Sequence, residues 1–326
     1  MPEQNNHHLL DEKSTRTLAP SAAEALDGRT PDDLRVACVS IAAEAAALVR
    51  SQRHTAGIRV GVSDTKSSEV DPVTEIDRAS EALIRQRITE HVTATGARDV
   101  ILGEEEGGEI VDGRVTWVVD PVDGTVNLIY GIPASAVSIA ATVDGVPVAG
   151  AVADIARRRV FSAAVGGDAR ITWESDLSAE EVLPRWSQGD ARDGDSGDTG
   201  DLSTALVATG FSYQADNRTA QVGLLAELMP RVRDIRRVGS AALDLCAVAS
   251  GRVDGYYEHG LGAWDHAAGA LIAARSGAVV HQPRLTAGYA DGLPVLAAAP
   301  SIVAELAEDI VGTRIPDPDP GAGNGR

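Results

Sequence analysis

Residues 115–127 read Val-Thr-Trp-Val-Val-Asp-Pro-Val-Asp-Gly-Thr-Val-Asn, and the parsing of this stretch decides the fold. Its first half is β-branched and apolar, the texture of a buried strand. That strand delivers Asp120 at its end. Pro121 removes a ladder donor and bends the chain, and Asp123 follows three residues later. Gly124-Thr125 then permits a tight turn whose N–H groups can face an anion. Two carboxylates held this close repel one another, and burial worsens the conflict. A divalent cation resolves it: Mg²⁺ takes hard oxygen ligands at roughly 2.0–2.1 Å and keeps waters for chemistry. The same residues also suit an ordinary acidic turn at a strand end.

Three further acidic elements lie outward from this one. Val100-Ile101-Leu102 forms a short strand running into Gly103-Glu104-Glu105-Glu106-Gly107. Asp265 opens a helix of small residues in Gly262-Ala263-Trp264-Asp265-His266-Ala267-Ala268-Gly269. Asp77 stands early in a helix that follows Lys66-Ser67-Ser68 and Asp71-Pro72-Val73-Thr74. Taken singly, each has a plain alternative: a solvated acidic loop, an N-cap, an acid favoured by the helix dipole.

The rest of the chain divides by texture. Residues 1–29 are polar and aperiodic and read as a mobile tail. Thr30-Pro31-Asp32-Asp33 starts a helix carried by the apolar face of residues 34–50, and a second helix is expected from about Val73 to His91. Asp144-Gly145 and Gly166-Gly167 punctuate two hairpins, so residues 30–186 read as an α+β half. The Gly/Asp/Ser stretch 187–201 has almost nothing to bury and reads as a flexible insertion. Residues 202–312 alternate strand and helix as a layered α/β half, and 313–326 form a polar Pro/Gly tail.

Composition bounds the function. Twenty-nine Lys and Arg face 48 Asp and Glu for a net charge of −19, which argues against a nucleic-acid partner. No apolar run approaches the roughly 20 residues that span a bilayer, and the polar start lacks a signal-peptide core. Two distant cysteines, Cys38 and Cys246, suit a reducing cytosol better than a disulfide framework. Aromatics are only 3%, so Ala, Val, Leu and Ile must build the core.

In this order the four acidic elements resemble the inositol monophosphatase family of Mg²⁺-dependent phosphatases, and are similar to its bacterial, especially actinobacterial, inositol-1-monophosphatase branch. Trp117 through Asn127 matches the family's main signature, and Trp264-Asp265 with Ala267-Ala268-Gly269 its second. Gly103-Glu104-Glu105, Lys66-Ser67-Ser68 with Asp71 and Asp77, Val238 to Ala242, and Tyr256-Tyr257-Glu258 fit further segments, covering about residues 32–300. The resemblance implies a layered αβαβα sandwich of the α/β (α+β) class, two to three Mg²⁺ ions and a homodimer. It implies that Glu104, Asp120 and the Val122 carbonyl hold one metal, that Asp120, Asp123 and Asp265 hold a second, and that a looser third lies near Glu104. Thr125 and Asp77 would help activate the attacking water, and the Gly124 and Thr125 amides would hold phosphate. Asp123, Gly239, Ser240, Ala241 and Glu258 would bind the substrate alcohol, and the segment from Lys66 to Asp77 would close over the metals. Two departures, Leu128 for Phe and Arg275-Ser276-Gly277-Ala278 for Glu-Ala-Gly-Gly, fall at positions expected to pack.

The expected activity is hydrolysis of myo-inositol 1-phosphate in the cytoplasm, with lithium inhibition implied by the family. Phosphatases for histidinol phosphate, fructose-1,6-bisphosphate or 3′-phosphoadenosine nucleotides are the alternatives within the superfamily. A partner-binding regulatory protein on the same scaffold is the alternative outside it.

Overall fold

The computed structural model describes residues 7–11, 13–56, 61–65, 72–186, 200–313 and 315. Lys66, Ser67, Ser68 and Asp71, the stretch 187–199 of the acidic insertion, and 316–326 of the C-terminal tail lie outside the described residues.

The chain opens with β1 (His7–Leu10), α1 (Pro20–Ala25), α2 (Pro31–Thr55), the short ribbon β2 (Asp64–Thr65) and β3 (Pro72–Val73), and α3 (Glu75–Thr95). A run of strands follows: β4 (Val100–Gly103), β5 (Val115–Asp123), the short helix α4 (Thr125–Tyr130), then β6 (Ala136–Val143), β7 (Val146–Asp154), β8 (Arg159–Ala164), β9 (Arg170–Trp173) and β10 (Asp176–Val182). The last third alternates β11 (Leu206–Thr209), α5 (Ala215–Leu228), β12 (Asp234–Arg236), α6 (Ala241–Ala249) and β13 (Gly255–His259). It ends with α7 (Ala263–Arg275), β14 (Val279–Pro283), β15 (Pro294–Ala298) and α8 (Val303–Ile310).

Local chemistry sets the two long helices. Thr30 and Thr74 each close a capping box, with Asp33 and Asp77 respectively as the reciprocal acid. Pro31 adds a preset φ to α2, and Gly96 ends α3 in the left-handed conformation at φ 69°. Both helices pack on a seven-stranded sheet ordered β10-β9-β8-β7-β6-β5-β4. Its central strands are buried on both faces, so they read as continuous apolar runs. On β5, Val115, Trp117 and Val119 join the core beneath α2 and α3, whereas Val118 joins the core around α6 and α7. Trp117 is fully buried and donates its indole N–H to Asp99 (2.8 Å), which also takes both guanidinium nitrogens of Arg29 at 2.6 Å.

α6 and α7 form the middle layer. α7 lies against β5–β8 on one side and β14 and β15 on the other. The second sheet is six-stranded, β1-β14-β15-β13-β11-β12, and α8 covers β15 from outside. The layers therefore run αβαβα. No helix among the described residues is long and apolar enough to cross a membrane.

Two expectations, the N-terminal and C-terminal tails, need correction, and one strand was not anticipated. Residues 7–10 are not a mobile tail: β1 pairs antiparallel with β14, Leu10 facing Val280, and buries Leu10. Strand addition satisfies the β14 edge, a benefit decided 270 residues downstream and invisible in a short polar segment. Nearby, α1 buries Ala22 and Ala25. β10 is an exposed edge strand, and its Asp-Leu-Ser-Ala-Glu-Glu-Val lacks the alternation that marks a strand. At the other end, Ile315 is buried and its N–H donates to the Gly292 carbonyl (3.0 Å).

Candidate active site

β5 delivers Asp120 at the point where its pairing with β6 breaks register, and the slip to Asp123 aims both carboxylates toward one end of the sheet. Gly124 follows at φ +92°, where a Cβ would sit 2.9 Å from the Ala134 carbonyl oxygen and 3.0 Å from that of Gly239. Only glycine fits this turn. Asn127 then donates its amide to the carbonyls of Ala134 (2.7 Å) and Val238 (2.9 Å), fastening α4 to the loop before α6.

Asp265 arrives from the middle layer, at the third position of α7, where its carboxylate accepts from the Gly262 amide at 2.7 Å. Oxygens of Asp120, Asp123 and Asp265 lie within 4.8 Å of one another. Glu104, whose amide donates to the Val119 carbonyl (3.1 Å), lines the same cleft. That cleft has a volume of about 430 Å³. Phe211, Arg237, Gly239, Ala241, Glu258 and Trp264 also line it.

Supporting contacts hold the acids in place. Asp123 accepts from the Ser240 hydroxyl (2.6 Å) and the Ala242 amide (2.7 Å). Asp120 accepts from the Val122 amide (2.9 Å). Thr125 Oγ1 lies 2.8 Å from Asp77 Oδ1 and 3.0 Å from the Val122 carbonyl. Asp77 is fully buried and also holds the Thr74 amide and hydroxyl. Ser80 donates to the Pro121 carbonyl (3.0 Å), tying α3 to the same turn.

Gathering acids raises their affinity for protons. Burial pushes Asp123 up to about 6, against the pull of its Ser240 and Ala242 hydrogen bonds. Asp265 is driven well above the carboxylate range by burial first and then by the charges of Glu104 and Asp123. Glu258, held by the Tyr256 hydroxyl (2.8 Å), is raised by burial to about 7. Asp244 behind it is raised by burial and by Glu258. A concave set of hard oxygen donors whose like charges resist crowding fits a divalent cation of the Mg²⁺ or Mn²⁺ kind.

The structure thus brings Glu104, Asp120, Val122, Asp123, Gly124, Thr125, Gly239, Ala241, Glu258 and Asp265 to one cleft, with Asp77 directly behind Thr125. Ser240 departs from expectation. It is buried, it is not part of the cleft wall, and its hydroxyl caps α6 while supporting Asp123. His266 packs inside, its ring 3.2 Å from Gln282, and burial lowers it to about 4. Sequence reasoning did not single out Arg237, which lines the cleft. Arg237 is two residues before Gly239, but nothing in its spacing says that it turns toward the acids.

The comparisons agree with this geometry. The model of the inositol monophosphatase family matches residues 31–313. The chain is 50% identical over 287 residues to the inositol-1-monophosphatase SuhB of Mycobacterium tuberculosis, covering 85% of this chain and 92% of that one. It is 35% identical over 246 residues to the Nus factor SuhB of Escherichia coli, covering 72% and 82% respectively. The solved structure of Mycobacterium tuberculosis SuhB superposes with a TM-score of 0.68 at 47% identity, over 86% of this chain and 96% of that one. With its layers in the same arrangement and its acids at the signature positions, the chain belongs to the inositol monophosphatase family and is a phosphatase on that scaffold.

Proposed function

We propose that this protein hydrolyses myo-inositol 1-phosphate to myo-inositol and phosphate in a Mg²⁺-dependent reaction. The observation that carries this reading is the apposition across one cleft of the Asp120–Asp123–Asp265 set and the Glu258–Ala241–Gly239 wall. Phosphate monoesters hydrolyse extremely slowly unaided, so a catalyst must supply very large transition-state stabilisation. Mg²⁺ held at this site would supply neutralisation of the phosphoryl oxygens, acidification of water and stabilisation of the leaving alkoxide.

The protein's own groups then divide the work. Glu104, Asp120, Asp123, Asp265 and the Val122 carbonyl would hold the metal ions. Thr125 Oγ1 accepts a proton from the attacking water while its own proton passes to Asp77, whose contacts with Thr74 keep it oriented. The Gly124 and Thr125 amides hold the phosphate. Glu258 accepts from a sugar hydroxyl, and Ala241 and Gly239 shape the alcohol pocket. In our reading the chain forms a homodimer, and lithium would compete at a weakly held metal position.

Phosphate release from myo-inositol 1-phosphate, with and without Mg²⁺ and with lithium as a third condition, tests the assignment. Asp120→Asn is expected to lose at least a thousandfold in kcat/KM while melting as a folded protein. Retained turnover in metal-controlled buffer defeats the reading. A panel including histidinol phosphate, fructose-1,6-bisphosphate and 3′-phosphoadenosine nucleotides tests the alcohol preference, where one pocket contact is worth about 1–3 kcal/mol. The name of the Escherichia coli relative, a Nus factor, favours a second reading in which the scaffold also engages a protein partner. If the Asp120→Asn protein serves the cell as well as the native one, that second role is the main one.

A further inference from the structure

α3 carries a second acid that the catalytic reading leaves without a task. Glu81 is wholly buried, and its carboxylate faces the turn that bears Glu104. Its two oxygens accept from the Glu105 amide (2.8 Å), the Glu106 amide (3.1 Å) and Arg85 Nε (2.8 Å). Arg85 continues to the Gly107 carbonyl (2.8 Å), and also lies 3.3 Å from the Glu106 carboxylate. Gly103 and Gly107 exchange amide-to-carbonyl bonds of 3.0 and 3.1 Å, closing the turn. A Cβ on Gly103 would stand 2.1 Å from Glu81 Oε1, so the glycine leaves room for this carboxylate.

The arrangement has a physical purpose. Glu104 shares its cleft with Asp120, Asp123, Asp265 and Glu258, and their repulsion pushes its turn outward whenever the charges are not neutralised. Burying one more acid is costly unless it is fully hydrogen-bonded, and here every contact is spent on the Glu104 turn or on the arginine that grips it. Resting on the metal reading above, we propose that the Glu81–Arg85 pair is a positioning device that holds the Glu104 carboxylate ready for the cation and so sets metal affinity. Neither side chain lines the cleft. Their effect passes through the backbone of residues 103–107.

The test is a Mg²⁺ titration of the full chain by calorimetry, paired with activity against Mg²⁺ concentration. Glu81→Gln keeps the size of the side chain but turns a donor toward one of the amides. Its Mg²⁺ dissociation constant, and the Mg²⁺ concentration giving half-maximal activity, are expected to rise about tenfold or more. KM for the phosphate ester at saturating Mg²⁺ should stay within about twofold. Arg85→Gln, at a partly exposed position, should shift metal affinity the same way, and it decides the matter if Glu81→Gln does not fold. Ile88→Val, a core change on the same helix, should lower Tm without moving metal affinity. Folded Glu81→Gln and Arg85→Gln proteins with native Mg²⁺ affinity overturn the proposal, as does an Ile88→Val shift of the same size. A native protein that binds Mg²⁺ but hydrolyses no phosphate ester defeats the proposed function instead, leaving the calorimetric comparison to judge the pair. Failure of the native protein to bind Mg²⁺ sinks both.

Discussion

Glu258 sits beside Tyr256 and near enough to the buried Asp244 to raise it, and its proton affinity makes it a reporter of the site. Its carboxyl rises from 4.5 in the ordinary case to about 7 here, chiefly through burial. The folded state therefore holds its proton more tightly than the unfolded chain does. The sign follows: this group's contribution to stability is greatest below 4.5, declines as pH rises toward about 7, and is level above that. Asp123, raised to about 6, adds to the same slope. Without metal, Tm should fall between pH 5 and 8, and Glu258→Gln should reduce the fall, leaving that variant above the native protein at pH 8. Scanning calorimetry at three pH values checks this; parallel curves for the two proteins would show that Glu258 carries no such strain. Single residues also explain the family departures. Leu128 is a core residue beneath α2 and α3. Arg275 is buried, and its guanidinium donates to the Gly167 carbonyl (2.5 Å) and reaches Thr15 (3.3 Å), so it ties the N-terminal segment to the β8–β9 turn.

At the scale of elements, α7 is packed closely on several sides. It must lie between two sheets and still bring Asp265 to the end of β5, which requires small residues on several sides. Gly150 on β7 would place a Cβ 3.0 Å from Ala268, and Gly269 would place one 2.8 Å from Leu245 of α6. Gly269→Ala is expected to destabilise by about 1–2 kcal/mol, because overpacking against a Cβ outweighs the roughly 1 kcal/mol gained in helix propensity. Denaturant unfolding decides: a more stable variant would show that α6 yields easily. Elements rich in periodic apolar residues, such as α2, α3, β5 and the β6–β7 hairpin, were legible because their own residues carry the signal. The short helix α4, the exposed β10 and the polar β1 were not, since each owes its form to what it packs against. β13 runs from Gly255 to His259 and so carries Glu258 within the strand that borders the cleft.

Across the whole molecule, the site is assembled from both sheets and the layer between them. Glu104, Asp120 and Asp123 come from the seven-stranded sheet and its loops, Asp265 from α7, and Glu258 from the six-stranded sheet. β1 stands at the outer edge of that second sheet, pairing four residues with β14. Removing residues 1–18 should expose this edge and the Arg275 contact together, lowering Tm and promoting association through β14, while kcat/KM at low temperature stays near the native value. Thermal melting and light scattering of the shortened chain check this; an unchanged Tm would mean that the strand adds nothing to the fold. The sequence by itself determined the acidic signature, the capped helices, the hairpins and the family, because each depends on neighbours within a few residues. Only the tertiary structure decided that Ser240 braces Asp123 instead of lining the cleft, that Arg237 enters the cleft wall, and that Glu81 grips the Glu104 turn. Those are contacts between distant segments, and close packing selects them only once every layer is in place.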